Sequence, residues 1–271
     1  MSGLGLSLRA RRRNPADPVS VTGGAVSAWL RVARGTITGS GYSSIPDMLD
    51  GANPAVQATD ARRPTAATSA NGLPILACAA QLLALPITAA RNGTTQIGFG
   101  AWVKQTGGTF PVLWTMDSAG SAGASARKIL TQDGSSPSNL AIVVFNAAST
   151  ASRSGTINGV LTSNTWKFVT FELNLGTGGA EATRAVITVN TAVQALTFAD
   201  STGTPGSMPT SMPAPTGNIG LFAQSFTTGG NGFTGNIGPN IYMFGSAMPG
   251  ATEGLLTPAA RTALMNFEAP T

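Results

Sequence analysis

The sequence lacks histidine altogether and has one cysteine, Cys78, among its 271 residues. Because Ser-His-Asp and Cys-His catalysis both need an imidazole base, the absence of histidine excludes them, together with every metal site that has a histidine ligand. A single cysteine also excludes an intrachain disulfide. The apolar residues around Cys78, at positions 75–80, favour a buried, unreactive thiol over a nucleophile.

Charged side chains are scarce, at 10% of the residues against about 25% in an ordinary soluble domain. The formal net charge of +5 would suggest a nucleic-acid partner if the basic residues were spread over the folded surface. Four of the 16 basic residues, however, lie between positions 9 and 13, and the 12 others nearly balance the 11 acidic residues. Because a protein that reads nucleic acid needs a basic stripe on its surface, we expect no direct nucleic-acid recognition.

Long apolar runs are missing too. No segment reaches the roughly 18 residues that a membrane-spanning helix needs, and the nearest approach, at 73–85, is broken by Pro74 and Gln81. We therefore expect no membrane insertion.

Residues 1–18 have the composition of an arm rather than of a folded domain. Two prolines and a run of arginines argue against independent folding, and the short apolar piece precedes the arginines, which is the reverse of a secretory signal. A solvated tail is the ordinary interpretation. The spaced leucines favour an anchor that becomes ordered on a partner, with the arginines meeting carboxylates or phosphate. The predicted partner-binding residues are Leu4, Leu6, Leu8, Arg9, Arg11, Arg12 and Arg13.

Residues 19–271 are predicted to form one β-domain. The clearest signal is at 166–175, where Val169, Phe171, Leu173 and Leu175 alternate as the buried face of a strand does. A glycine-rich turn at 176–179 and two β-rich runs, at 184–190 and 193–198, complete a predicted three-stranded meander. Residues 19–96 are the least periodic, with one strand at 26–32 followed by a long, loop-rich connection. Other predicted strands lie at 97–103, 110–116, 128–131, 140–145, 219–223 and 237–244.

Many short strands joined by glycine and proline turns predict an all-β fold, a two-sheet antiparallel jelly-roll sandwich. One short C-terminal helix is predicted at 258–266. Thr257 has a side chain suited to the N-cap, Pro258 suits the first helical position, and Leu264 and Phe267 can pack inward. The predicted architecture is therefore an extended arm at 1–18 and a single sandwich domain at 19–271.

Three groups of segments, in this order, carry a resemblance to a known family. The first is Ser-Ala-Trp-Leu at 27–30 with segments 58–65 and 71–75; the second is Trp-Lys-Phe-Val at 166–169 with 187–190; the third is 233–242 with 256–258. Together they resemble the concanavalin A-like, laminin-G-type jelly rolls that are common in bacteriophage structural proteins. The resemblance covers roughly residues 27–267.

This resemblance implies a non-enzymatic virion protein, such as a capsid decoration, head-fibre or tail-associated subunit. It would be made in the host cytoplasm and carried in the phage particle. Its partners would be other virion proteins, contacted through the arm, and further copies of itself in a homo-oligomer.

The sequence departs from the family at positions that would carry carboxylates. Gly238-Pro239-Asn240 stands where an acidic residue often follows the closing glycine-isoleucine, and residues 76–79 replace a common Phe-Asp-Gly. Because a calcium site needs several oxygen ligands close together, we do not expect the calcium of some relatives here, nor any other metal or cofactor. Asp47 and Asp50 suit turn or capping roles.

Catalysis is not expected either. Glycoside hydrolases that share this sandwich need two carboxylates across a groove, whereas Glu172, Glu181, Glu253 and Glu268 stand singly in the sequence. Glu172, which lies opposite Phe171 on its strand, is predicted to be a surface residue.

The alternative function is a carbohydrate-binding module for host-surface glycans. Such sites stack a sugar on an exposed aromatic side chain and surround it with polar groups. Trp102, Trp114, Trp166 and Tyr242 are candidates, each with core packing as the ordinary alternative. Trp102 ranks first, because Phe99 and Val103 fall on the opposite face of its strand; Asn231, in a glycine-rich loop at 227–232, is the second predicted sugar contact.

Overall fold

The computed structural model describes residues 17–107, 112–116, 138–215, 217–223 and 232–271. Within these ranges the chain forms antiparallel sheets and three short helices, which confirms the predicted all-β sandwich. The strand predicted at 128–131 and the first part of the run at 110–116 lie outside the described residues, as does the predicted arm up to residue 16.

The helices are α1 (Pro18–Val21), α2 (Glu181–Arg184) and α3 (Pro258–Asn266). The strands are β1 (Val26–Arg31), β2 (Thr36–Thr38), β3 (Gly41–Ile45), β4 (Ala55–Val56), β5 (Thr65–Thr68), β6 (Pro74–Ala79), β7 (Leu83–Leu85), β8 (Gln96–Gly107), β9 (Trp114–Met116), β10 (Leu140–Phe145), β11 (Ser152–Ile157), β12 (Trp166–Asn174), β13 (Ala185–Val189), β14 (Ala192–Val193), β15 (Thr197–Thr202), β16 (Ile219–Leu221) and β17 (Thr234–Phe244).

A large sheet of eight strands dominates the fold. Its order is β14-β13-β12-β8-β17-β6-β5, and β1 pairs with the C-terminal half of β17. A six-stranded sheet, β2-β3-β4-β7-β16-β9, and a small sheet, β10-β11-β15, complete the sandwich. Apolar residues from all three sheets form one buried cluster, so the main core lies between the inner face of the large sheet and the two other sheets.

Helical segments cover one end of the outer face of the large sheet. A second buried cluster forms there between the sheet and the helical segments, and it includes Phe168, Tyr242, Phe244, Leu255 and Leu264. The helix α3 begins and ends where the sequence predicts. The Thr257 hydroxyl accepts the Ala260 N–H at 3.3 Å, and Phe267 packs edge-on against Trp29 with ring centroids 5.6 Å apart. We call this the closed end of the outer face.

The predicted meander is wrong in its third strand. The run at 193–198 was expected to be one strand, but β14 ends at Val193 and pairs with β13, whereas β15 begins at Thr197 and pairs with β11 in the small sheet. In the small sheet Phe198 lies opposite Gly155 and its ring packs over this residue, where a Cβ atom would lie 2.8 Å from the ring. The second run is also shorter than predicted, since Arg184 ends α2 before β13 begins.

The connection predicted to be loop-rich contains four short strands, β2 to β5. Each has two to five residues, which is too short for a visible alternation of apolar and polar positions. Two of the pairings, β2 with β3 and β5 with β6, cross short turns, whereas β4 also pairs with β7, almost 30 positions later.

Candidate functional site

Glu172 is not a surface residue, contrary to the sequence prediction. Its side chain is fully buried under α3 and forms an ion pair with Arg261, at 2.8 Å between Oε1 and Nε and 2.9 Å between Oε2 and Nη2. The Leu255 and Leu256 N–H groups donate to Oε2 at 2.8 and 2.9 Å, and the Thr170 hydroxyl donates to Oε1 at 2.7 Å. The carboxylate thus connects β12 with α3 and with the segment before α3 at the closed end.

The chain reaches this carboxylate through Gly254, whose φ of +65° lies in the left-handed region. A Cβ atom there would lie 2.6 Å from Glu172 Oε2, so no other residue fits without a shift. Sequence reasoning had no signal for the pair, because Glu172 and Arg261 are 89 positions apart. A carboxylate held by five hydrogen bonds beneath a helix does not face a substrate groove.

Two of the predicted aromatic candidates belong to the core. Trp114 is fully buried and stacks on Phe99 at 5.9 Å, and Tyr242 is 1% exposed. Neither can present a ring to a sugar. Their burial follows from their positions on β9 and β17, where they enter the inner and the outer cluster respectively.

Trp102 lies at the boundary of the closed end. Phe99 and Val103 are fully buried on the opposite face of β8, as the sequence predicted. The Trp102 ring is half-buried against Phe168, with centroids 5.7 Å apart, and its indole N–H donates to the Met265 carbonyl at 3.0 Å. Much of the Trp102 side chain therefore contacts α3 and Phe168. Its role as a sugar contact stays a prediction.

Beyond Trp102 the outer face carries partly exposed residues, and here five strands bring a row of them together. Strand register aligns Trp166 with Lys104, Lys104 with Asn236, Asn236 with Ala77, and Ala77 with Thr65. Directly paired residues share one face of a sheet, and all five are partly exposed. At about 4.8 Å between strands, the row is about 19 Å long. We call it the Trp166 row.

The Trp166 row has an apolar ring beside polar groups that have no internal partner. Among the described residues, the side chains of Trp166, Lys104 and Asn236 make no hydrogen bond or ion pair. Trp166 begins its strand at the end away from α3, which leaves its ring partly exposed. Sequence analysis had named Trp166 as a candidate but ranked Trp102 above it, because the register that aligns the row is a property of pairing between distant segments.

A polar cleft of about 750 Å³ lies elsewhere, between the turn at 146–151 and the loop at 204–211. The described residues that line it include Thr204, Ser207, Met208, Pro209 and Thr210, and none has an aromatic or charged side chain. It offers hydroxyl groups without a stacking surface, so it suits a sugar less well than the Trp166 row.

Most carboxylates of the described residues are paired with arginines. Arg153 pairs with Glu181 and Asp200, both at 2.9 Å, and the Arg153 hydrogen bond holds the pKa of Glu181 below its ordinary value, against the opposing effect of burial. A general acid needs a raised pKa, so Glu181 does not suit that role. Arg91 similarly binds the buried Asp47.

The described part of the chain contains no group of three or more His, Cys, Asp or Glu side chains placed to hold a metal ion. None of its helices has the length and apolar character needed to cross a membrane. Cys78 is buried, as predicted, and burial raises the pKa of its thiol.

Several predicted site residues lie outside the described residues: Leu4, Leu6, Leu8, Arg9, Arg11, Arg12, Arg13 and Asn231. The anchoring role of the arm and the sugar contact of Asn231 stay predictions.

Comparison with protein-family models and with curated proteins gives no match. Among solved structures, domain 4 of a GH43 extracellular arabinanase from Geobacillus stearothermophilus, in complex with arabinotriose, matches with a TM-score of 0.51 at 15% identity, over 89% of this chain and 98% of that domain. The binding domain of botulinum neurotoxin DC in complex with SialylT gives 0.49 at 11% identity, over 89% of this chain and 51% of that chain. A Trypanosoma rangeli sialidase gives 0.48 at 11% identity, over 90% of this chain, which spans only 33% of the sialidase.

At this level of identity the arabinanase match shows the fold alone. It supports the jelly-roll part of the predicted resemblance and gives no support to a phage context.

Proposed function

We propose that this chain is a non-enzymatic carbohydrate-binding module, and that the Trp166 row is its sugar-binding surface. The observation that carries the proposal is the partly exposed side chain of Trp166 beside Lys104 and Asn236, whose side chains have no partner among the described residues. A ring that contacts the apolar face of a sugar, next to donors and acceptors for its hydroxyls, is the usual composition of such a site.

The shared fold supports the proposal. The arabinanase domain that this chain covers almost completely was solved with an oligosaccharide bound. The length of the row, about 19 Å, favours an oligosaccharide over a single sugar. The burial of Glu172 and the arginine pairing of Glu181 and Asp200 support a binding role over hydrolysis.

The test is a glycan array with the intact chain, followed by calorimetric titration of the best neutral and the best acidic oligosaccharide. Trp166→Ala should lower affinity at least tenfold, because stacking on an aromatic ring is lost, while Trp166→Phe should keep part of it. Both variants should melt within a few degrees of the parent, since the ring is only partly buried. Equal affinity of Trp166→Ala and the parent for every bound glycan would refute the site.

Trp102→Ala is the matched control on the same face. The structure predicts that it loses stability, by about 2 kcal/mol, since the ring packs on Phe168 and its N–H is bonded to α3. If Trp102→Ala instead loses sugar affinity at unchanged thermal stability, Trp102 is the main sugar contact, as the sequence predicted.

A role in a virion stays a prediction from the resemblance. The residues that would carry it lie outside the described residues, and the carbohydrate-binding function has the better support.

A further inference from the structure

The charge at the Trp166 row points to a more specific ligand. Lys104 occupies the second position of the row, next to Trp166, and is partly exposed. Lys167 follows Trp166 in sequence and pairs with Val103, so the alternation of a strand places it on the other face of the sheet. One of the three lysines of the chain therefore lies beside the proposed stacking ring.

The Lys104 ammonium group has no ion-pair partner among the described residues. The salt bridges of these residues use arginines as the basic partner, at Arg31, Arg63, Arg91, Arg153 and Arg261, and none involves a lysine. The acidic residue on the Trp166 strand, Glu172, is fully buried and paired with Arg261. Within the described part of the chain, the row thus presents positive charge without a carboxylate to neutralise it.

Neutral donors would suffice for a neutral sugar. Asn236, with two donors and one acceptor free, could bind hydroxyl groups by itself. An ammonium group has donors only, and its interaction with an anionic acceptor is stronger than with a neutral one. Lys104 between the indole and the amide therefore favours a sugar that carries a negative charge.

We infer that the Trp166 row selects anionic saccharides, with Trp166 stacking on the sugar ring and Lys104 binding a carboxylate or sulfate substituent. This inference rests on the proposed carbohydrate-binding function. The positive charge of Lys104 in the row favours an acidic oligosaccharide as the occupant over a neutral one.

The experiment compares each acidic sugar with its own neutral form. Trigalacturonate and its methyl ester, and 3′-sialyllactose and its methyl ester, are titrated into the full chain; a sulfated disaccharide and its unsulfated form test the other anionic substituent. At least one acid should bind about tenfold more tightly than its neutral counterpart, and the difference should shrink as salt is raised from 50 to 500 mM, as expected at an exposed site.

Lys104→Gln should remove this preference, and Lys104→Arg, which keeps the charge, should retain it. Thermal melts of both variants should match the parent, because the Lys104 side chain makes no hydrogen bond or ion pair with the described residues. Equal binding of acid and ester, with both lost in Trp166→Ala, would refute the anionic selectivity and leave the binding function standing. Binding of no saccharide at all would refute the function itself. Competition by inorganic phosphate or sulfate as strong as that of the acidic sugar would show a simple anion site and overturn the inference.

Discussion

Replacing Glu172 by leucine should destabilise the protein by about 3–5 kcal/mol, the usual cost of leaving one member of a buried ion pair unpaired. The Arg261 side chain is 2% exposed, and after the change its guanidinium would keep only the Glu253 carbonyl, at 2.9 Å, as a partner. The Leu255 and Leu256 N–H groups would lose their acceptor as well. For a chain of this size such a loss lowers Tm by roughly 10 °C.

The opposite change, Arg261→Met, should cost less. The carboxylate would still accept hydrogen bonds from Thr170 and from the two backbone N–H groups, so its charge would remain partly compensated. The double variant, Glu172→Leu with Arg261→Met, should be about 2 kcal/mol more stable than Glu172→Leu alone, because no unpaired charge is left under α3.

The assay is urea denaturation of the parent and the three variants, followed by circular dichroism, with the m-value checked for constancy. The reasoning is refuted if Glu172→Leu unfolds within about 0.5 kcal/mol of the parent. It is also refuted if the costs of the two single changes simply add in the double variant, since additivity would mean that the two side chains do not interact.

Three further predictions concern other parts of the fold. Because Arg153 holds the pKa of Glu181 low, the stabilisation of the fold by this ion pair should be complete above about pH 5 and should be lost as the pH falls through the lowered pKa. The free energy of unfolding of Glu181→Gln should therefore differ from that of the parent at pH 7, and the two values should converge in acid. Cys78 should react with a thiol reagent at pH 8 only after unfolding in urea, since burial raises its pKa and blocks access; fast labelling of the native protein would contradict this. Thr257→Ala should cost about 1 kcal/mol through loss of the N-cap bond, with sugar affinity unchanged; a thermal melt and a titration of the same sample measure both.

The parts of the fold that sequence reasoning predicted correctly are those with strong local signals. The alternation at 166–175 and 97–103 corresponds to β12 and β8, and the cap, proline and apolar spacing at 257–267 mark α3. In each case one segment carries enough buried residues to show its period. The short strands β2 to β5 carry too few. The division of 193–198 between two sheets involves pairing of β15 with β11, which lies about 40 positions earlier and leaves no signal in the run itself.

The sequence predicted which type of residue would form the candidate site but not where in the fold it would lie. It indicated aromatic side chains as sugar contacts, yet it could not distinguish a ring that packs under α3 from a ring that is partly exposed. Trp102 and Trp166 both lie on the outer face of the large sheet, and what separates them is α3, whose last turn accepts the indole N–H of Trp102. Glu172 is a second example. Its carboxylate lies on the outer face of its strand, but it is buried because α3, from the far end of the chain, covers it.

On the outer face, the residues of the closed end stabilise the fold, whereas those of the Trp166 row form the proposed binding surface. The Glu172–Arg261 pair fixes α3 over one end, and Gly238 lets β17 lie close to Trp102, where a Cβ atom would come within 2.6 Å of the Trp102 Cβ. Trp166 and Lys104 stand on β12 and β8, neighbouring strands inside the large sheet; Lys104 is paired on both sides, and Trp166 is paired with β8. A site on such strands loses little backbone freedom when a ligand binds, so its affinity depends mainly on the contacts themselves. Substitutions in the row should therefore change affinity without changing stability, and substitutions at the closed end should do the reverse.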